Sequence, residues 1–387
     1  MPWSRPPGPR ATAARLRPVA PAVRGRSCRR VGRAPARAGA ADAHHTVPVS
    51  AADAPGRVLV VGGGISGVAC ARALQGSGAD VRLVDRGRRL GGRMAARTVD
   101  TVVGRHVVDT GASYFTVRDE GFTAVVSDWQ ERGLAREWTD TFHLSDGDGL
   151  VGTKVGPVRW AAAGGLRSLV EDLAEGLDVE HPREVTEVVP VDAAEGGGVL
   201  VDGERYDGVV LAMPDPQAVD LLPSGVAEQL LHGSDWDWRP SIAVYAAWTE
   251  RCWPEVDGVF VDGSAVVDWV ADDGRRRGDD APVLVAHTTP VFAASRLDDP
   301  GSAVPHVLDE LGRVLGRALV EPEWARAHRW SLASPSRSRP APDFALTADG
   351  TVGVCGDAWG ERSRVEAAWL SGTRLAQELA GRLGLPG

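Results

Sequence analysis

The chain has 387 residues, 43% of them hydrophobic and 25% charged, which suits a soluble globular protein of one or two domains. Residues 1 to 55 carry ten arginines against Asp42 and Asp53, so the net charge of −9 divides into a basic leader and an acidic body of −17. Such a body has little with which to displace phosphate counterions, which excludes general nucleic-acid binding, and the sequence has no apolar run of about eighteen residues to span a bilayer.

The leader is rich in Arg, Ala and Pro, lacks an apolar period and reads as disordered. It fits an organellar transit peptide, translation upstream of a true start between Val47 and Val58, or a basic nucleic-acid arm. Arg29-Arg30 lacks the apolar stretch of a twin-arginine signal, and His44-His45 falls in this leader without a role. The expected location is cytoplasmic, or organellar if residues 1–55 are a transit peptide. Cys28, Cys70, Cys252 and Cys355 form no CxxC pair and no zinc spacing, so neither a metal site nor a disulfide framework is expected.

Folded sequence begins at Arg57. Val58–Val61 reads as a buried parallel strand, Ile65–Gln75 as a helix closed by Gly76-Ser77-Gly78, and Val81–Val84 as a second strand, which together open a βαβ unit. Further on, a helix is expected over Phe122–Arg132, a strand over Glu137–Leu144, and an amphipathic helix over Leu166–Leu177 after Gly164-Gly165. Glu184–Val191, Gly198–Val201 and Tyr206–Ala212 are strand-like, residues 236–292 hold several strand candidates, and helices are expected over Val304–Ala318 and Val365–Leu383.

The chemistry starts at Gly62-Gly63-Gly64-Ile65-Ser66-Gly67, directly after the first strand. Gly62 permits the tight turn, Gly64 lets a pyrophosphate approach the backbone, and Gly67 lets the helix pack on the strand. The helix start turns its amides, with Ile65 and the Ser66 hydroxyl, toward phosphate. Asp85 ends the second strand, where a carboxylate can accept from both ribose hydroxyls of an adenine nucleotide. Arg86 follows and would also suit a 2′-phosphate, so this pair alone does not choose between FAD and a nicotinamide cofactor.

Three more segments favour FAD. Leu90-Gly91-Gly92-Arg93 offers backbone amides and a cation to a second phosphate. Val108–Phe115 is a strand running into a tight loop, and Val352–Asp357 is a short strand ending in Gly356-Asp357, where a carboxylate can hold ribityl hydroxyls. The helix from Val365 would aim its positive end at the pyrimidine edge of a flavin.

Over about residues 57–385 the chain resembles the renalase-like branch of the FAD-dependent amine oxidase superfamily. The resemblance rests on the dinucleotide turn, Gly91–Met94, Asp109–Thr116, Val210–Ala218, and Gly356-Asp357 followed by Arg364–Gly372. Asp268–Asp273, His287–Pro290 and His328-Arg329-Trp330 are closer to renalase-type segments than to the wider superfamily. It implies non-covalent FAD, with Ser66 in the phosphate turn, Asp85 at the ribose, Arg93 at the pyrophosphate and Ala112-Ser113 beside the flavin. Gly356-Asp357 and Val365 would meet the ribityl chain and pyrimidine, and Val185, in the strand expected after the Leu166 helix, would meet adenine. Ser113 stands where relatives often carry Gln.

Many amine oxidases carry a Lys near flavin N5, but Lys154, the chain's one lysine, precedes the Leu166 helix and does not match. Trp236, Trp238, Tyr245, Trp248, Trp253 and Trp269 crowd one stretch, either as a stacking wall for a planar substrate or as core. His287 suits a hydrogen bond to a carboxamide or a place in the core. Tyr114, Trp269, His287, Trp330 and Trp359 are the candidate substrate-lining residues.

The expected fold is α/β: a Rossmann-like FAD/NAD(P)-binding domain of glutathione-reductase type, interleaved with a smaller mixed α+β substrate domain. The first would take residues 57–112, 155–215 and 335–387, and the second 113–154 and 216–334. The resemblance implies hydride transfer from a dihydronicotinamide to the flavin with O2 as acceptor and no catalytic side chain. An amine oxidase, a desaturase-like enzyme and a non-catalytic flavin-binding protein are the other readings.

Overall fold

A computed structural model describes residues 56–102, 104–231, 237–339 and 342–385; the leader and Trp236 lie outside the described residues. Strands β1 (Arg57–Val61) and β2 (Asp80–Val84) flank helix α1 (Ile65–Gly76), and β3 (Ala96–Thr101) and β4 (Gly104–Asp109) form a hairpin. Helix α2 (Glu120–Glu131), strands β5 (Ala135–Ser145) and β6 (Leu150–Ala162), and helix α3 (Leu166–Leu173) follow. Short strands β7 (Asp178–Glu180), β8 (Val188–Pro190), β9 (Val199–Val201), β10 (Glu204–Tyr206) and β11 (Gly208–Leu211) lead to helices α4 (Asp215–Val219) and α5 (Ser224–Leu231). Strands β12 (Trp238–Ala247), β13 (Gly258–Val261), β14 (Val267–Asp272) and β15 (Val283–Thr288) enclose helix α6 (Asp273–Arg277). The chain ends through α7 (Pro290–Ala294), α8 (Ala303–Val314), β16 (Trp324–Pro335), β17 (Ala345–Leu346), β18 (Val352–Val354) and α9 (Val365–Arg382).

The first sheet runs β17-β18-β11-β1-β2-β7, parallel except at β17. Its centre explains the unbroken apolar run of β1. Val58 and Val60 enter the core under α1 and α9, whereas Leu59 and Val61 enter the core on the opposite face. All four are buried, each contributing roughly 1.5–3 kcal/mol of transfer free energy. The chain leaves β1 toward β2 on one side and β11 lies on the other, so a crevice opens at the carboxyl ends of these strands. α9 closes against α1, and Gly372 makes that possible because a Cβ there would strike the Ser66 carbonyl.

The second sheet runs β16-β12-β15-β14-β13-β5-β6. Alternation gives it two different faces. Ile242, Val244, Leu284, Ala286 and Val270 pack against α8, while Tyr245, Val283, Val285 and Trp269 look the other way.

The expected elements recur with local corrections. The Leu166 helix stops at Leu173, and the helix expected to Ala318 stops at Val314, just before Gly316 at φ +63°. The strand expected over Glu184–Val191 shrinks to β8, leaving Val185 buried in an extended link. The Asp202 carboxylate takes the Thr186 and Glu187 amides, at 2.9 and 3.1 Å, so those donors never join a ladder. Tyr206–Ala212 divides at Asp207 into β10 and β11. The edge strand β7 was not expected, since three residues carry too little pattern to read.

The tryptophan-rich stretch is not one wall. Trp248 and Trp253 pack edge to face in the α8 core and bond inward, Trp248 to the Val320 carbonyl and Trp253 to Asp272. Tyr245 sits on the opposite face with Trp324. Here core packing outcompetes stacking on a ligand.

Candidate active site

Two glycine turns meet at the crevice. Gly62 sits at φ +114° with its amide donating to the Val84 carbonyl at 2.8 Å, and a Cβ there would collide with the Ala212 carbonyl. Gly67 is held close to the Gly62 carbonyl in the same way. Gly64, by contrast, faces open space. The second turn comes up beside it: the Gly91 amide donates to the Gly63 carbonyl at 2.8 Å, and a Cβ on Gly92, at φ +50°, would lie 3.2 Å from Gly64 Cα. Asp85 ties the turn down, accepting from the Gly63 and Gly87 amides at 2.6 Å each. Arg86 beside it is exposed.

Arg93 and Asp357, far apart in sequence, pair across the crevice with Nη1 to Oδ2 at 3.0 Å. The Arg93 guanidinium also lies over Trp238, 5.0 Å from the ring centre. Asp357 accepts from Ser363, just ahead of α9, and the Gly356 amide is fixed by Ser371 Oγ at 3.0 Å. Val365 opens α9 and is buried.

Between these parts lies the loop from Asp109 to Ser113. The Ala112 amide donates to the Arg93 carbonyl at 2.8 Å, which joins the loop to the second turn. Arg276 of α6, fully buried, holds the loop from behind: Nη1 donates to the Ser113 carbonyl at 2.9 Å and Nη2 to the Asp109 carbonyl at 3.3 Å. Asp273 balances both Arg276 and Arg277. Asp109 accepts from the Leu166 amide at 2.8 Å, capping α3, and burial pushes its carboxyl up to about 7. The arginine run in Asp-Asp-Gly-Arg-Arg-Arg was the available signal for this clamp, but a run of like charges ordinarily marks a solvated face.

These parts suit an extended phosphate-bearing cofactor. Ser66 Oγ at the first turn and Ser113 Oγ in the loop are buried without hydrogen-bond partners, and the backbone at Gly64 is open. Val185 lies in the core on the far side of the sheet from α1, together with Trp359, whose ring is covered by Arg339 at 4.8 Å.

Across the second sheet, one row of register partners runs His328, Ala243, His287, Trp269, Phe260. Opposed residues share a face, so His328, His287 and Trp269 look the same way as Tyr245 and Val285. Tyr114 packs on Trp269 at 5.7 Å and on Phe142 at 5.2 Å. Trp330 meets His328 edge on at 4.6 Å and donates its indole N–H to the Thr110 carbonyl at 2.7 Å, which fastens the row to the loop. Four of the five candidate lining residues therefore gather here, and Trp359 does not join them. Burial pulls His287 down to about 4, with Nε2 unpartnered, whereas Asp268, at the bulge before Trp269, is exposed. His328 also falls to about 4, through burial and then the charge of Arg97. Perturbed groups gathered in this way mark functional sites.

A parallel Rossmann-like sheet, with its glycine turn at the crevice and an aromatic sheet face opposite, defines a nucleotide-cofactor oxidoreductase. Residues 60–129 match the NAD(P)-binding Rossmann-like domain, and residues 134–380, more than half of the chain, match the flavin containing amine oxidoreductase model. The chain belongs to the flavin-containing amine oxidoreductase family, and its cofactor is FAD. Among solved structures it is similar to a protein of Exiguobacterium sp. 255-15 assigned as a protoporphyrinogen oxidase, with 15% identity, a TM-score of 0.64, and coverage of 84% of this chain and 98% of that one. It is also similar to an A394C mutant of putrescine oxidase, with 18% identity, a TM-score of 0.65, and coverage of 85% and 99%. At these identities the likeness concerns the fold. Among the described residues, no helix is long and apolar enough to cross a membrane, and no group of His, Cys, Asp and Glu is set to hold a metal.

Proposed function

We propose that this flavoenzyme is a renalase-like cytoplasmic oxidase acting on a dihydronicotinamide. FAD, held without a covalent bond, would supply the redox chemistry, acceptance of a hydride from the substrate C–H and reoxidation by O2 to H2O2. The glycine turns and Arg93 hold the phosphates, Asp85 the ribose, and Ser113, Asp357 and α9 the flavin end. Arg276 holds the Ser113 and Asp109 carbonyls of the loop on its guanidinium. Residues 57–112, 155–215 and 335–387 would form the FAD domain, and 113–154 and 216–334 the substrate domain. Membership of the two sheets supports that division, except that β6 continues the second sheet to Ala162.

The observation that carries the substrate assignment is the His328–His287–Trp269 row. It sets Trp269, packed among Tyr114, Phe142 and Phe260, beside two imidazoles whose pKa values burial holds at about 4. Loss of hydride from a dihydropyridine yields an aromatic cation directly, so no side chain has to remove a proton. Neutral imidazoles can orient a carboxamide without repelling that cation. The one lysine, Lys154, is exposed on the outer strand β6.

Amine oxidation on the same scaffold is the second reading, favoured by family membership and by Asp268, a carboxylate able to attract an ammonium. Anaerobic mixing of the holoenzyme with 2- and 6-dihydronicotinamide nucleotides and with a panel of amines separates the two. Bleaching of the flavin band within seconds by a dihydronicotinamide supports the proposal; bleaching by amines alone overturns it.

A further inference from the structure

A buried ion pair that neither the cofactor nor the substrate assignment uses lies just beyond the carboxyl ends of β11 and β18. Asp215 opens α4 after β11, and Arg339 stands on the link from β16 to β17; both are buried. Arg339 Nε and Nη2 donate to Asp215 Oδ2 at 3.1 and 2.8 Å, and Nη1 donates to the Leu231 carbonyl at 3.2 Å. Such a pair adds little net stability, because desolvation of the two ions offsets their attraction. What it does supply is a fixed direction for the arginine.

That direction matters because Arg339 brackets the turn that follows Asp357. Its amide donates to the Ala358 carbonyl at 2.6 Å, its carbonyl accepts from the Gly360 amide at 2.9 Å, and its guanidinium covers the Trp359 ring. On the other side, a Cβ on Gly356 would come within 4.0 Å of the Met213 carbonyl, two residues before Asp215. Asp215 and Arg339 therefore tie the exit of β11 to the exit of β18, where Asp357 is carried. Charge gives a second reason for the pair. Asp357 is bonded to Arg93, and Arg339 is another buried cation whose amide bonds the residue next to Asp357. Without Asp215 that guanidinium would be uncompensated and would compete with Arg93 for the Asp357 carboxylate. Burial pushes the Asp215 carboxyl up and Arg339 opposes the rise, while the charge of Asp357 adds to it, as expected of two neighbouring acids.

We propose that Asp215 and Arg339 are positioning residues for Asp357: Asp215 keeps the Arg339 guanidinium on the turn after Asp357 and off its carboxylate, which stays with Arg93 and is presented to the flavin end of FAD. This rests on the assignment of Asp357 to FAD made above and is independent of the substrate.

The test titrates FAD into the FAD-free full-length chain, well below the melting temperature of each variant, and records the visible spectrum of the bound flavin. Asp215→Asn should raise the Kd for FAD about tenfold and shift the flavin band. The double variant Asp215→Asn, Arg339→Gln leaves neither ion alone, so it should melt close to the parent protein, yet it should still bind FAD about three- to fivefold more weakly because the clamp on the turn is gone. As a control, Arg132→Gln combined with Asp172→Asn removes an ion pair between the end of α2 and α3 and should leave FAD binding unchanged. A double variant with the parent Kd and spectrum would show that the pair only supports the fold, and the proposal would fall. It would fall equally if the control weakened FAD as much, since the loss would then report general destabilisation. Asp357→Asn separates this from the assignment beneath it. If that variant weakens FAD while the Asp215 and Arg339 variants do not, only the positioning role is lost. If Asp357→Asn binds FAD like the parent protein, the assignment of Asp357 fails and takes the positioning role with it.

Discussion

Gly64 and Gly67 are three residues apart and do opposite work. A methyl at Gly67 would be driven into the Gly62 carbonyl, and the backbone there cannot yield without moving α1 off β1. Gly67→Ala should therefore destabilise the protein itself, by about 1–3 kcal/mol in chemical denaturation. Gly64→Ala meets nothing in the protein, so denaturation of the FAD-free chain should be unchanged, while FAD affinity falls because the methyl enters the phosphate approach. Equal stability losses in the two variants would refute this separation. The turn was legible because each glycine serves a local need that sequence spacing displays. Arg93 and Asp357 were each expected at a different part of the cofactor, and their pairing across the crevice was not legible. Nothing local to either residue says that the other will be opposite. Trp248 and Trp253 left a stacking wall and a core place both open in the sequence, and the connection between β12 and β13 turns both into the α8 core.

At the scale of elements, the short helix α6 has an effect out of proportion to its five residues. It brings Arg276 to two carbonyls of the Asp109–Ser113 loop while Asp273 balances the charge, all without solvent contact. Asp273 keeps Arg277 when Arg276 is removed, but the Ser113 and Asp109 carbonyls lose a buried donor, so Arg276→Met should cost about 2–5 kcal/mol. Arg276→Lys should recover part of this, because an ammonium keeps the charge but loses the fork to two carbonyls. If the loop is positioned as described, Arg276→Lys should also shift the visible flavin spectrum or midpoint potential. A variant that loses stability and leaves both unchanged would reduce the clamp to a packing role. The long periodic helices and the apolar strands β1, β2 and β11 could be read in advance, because burial on a fixed side imposes the period. The short strands β7 and β8 and the helix α6 depend on partners brought from elsewhere, and three to five residues cannot announce them.

For the molecule as a whole, the proposed FAD site would draw on distant stretches of the folded chain: the turns at Gly62–Gly67 and Gly91–Arg93, the loop at Ala112-Ser113, and Gly356-Asp357 with α9. Some of these segments meet directly, as where Gly372 lies against Ser66 and Ala112 bonds Arg93. A ligand that touches all of them adds ties between distant stretches of chain and binds only when they are assembled. At a thousandfold excess over its Kd, FAD should add about 4 kcal/mol to the free energy of unfolding. The gain should be distributed. In amide exchange of the FAD-free and FAD-loaded protein, protection is expected to rise in the β3–β4 hairpin, the Asp109–Ser113 loop and the first turns of α9 as well as at the glycine turn. The α8 face of the second sheet has its own core of Trp248, Trp253 and Leu311, so exchange there should change little. Protection rising at the glycine turn alone would mean that the nucleotide half binds without engaging the flavin end. Uniform protection across both sheets would mean that the cofactor acts only through global unfolding, and the assigned contacts at Ser113, Asp357 and Val365 would lose their support.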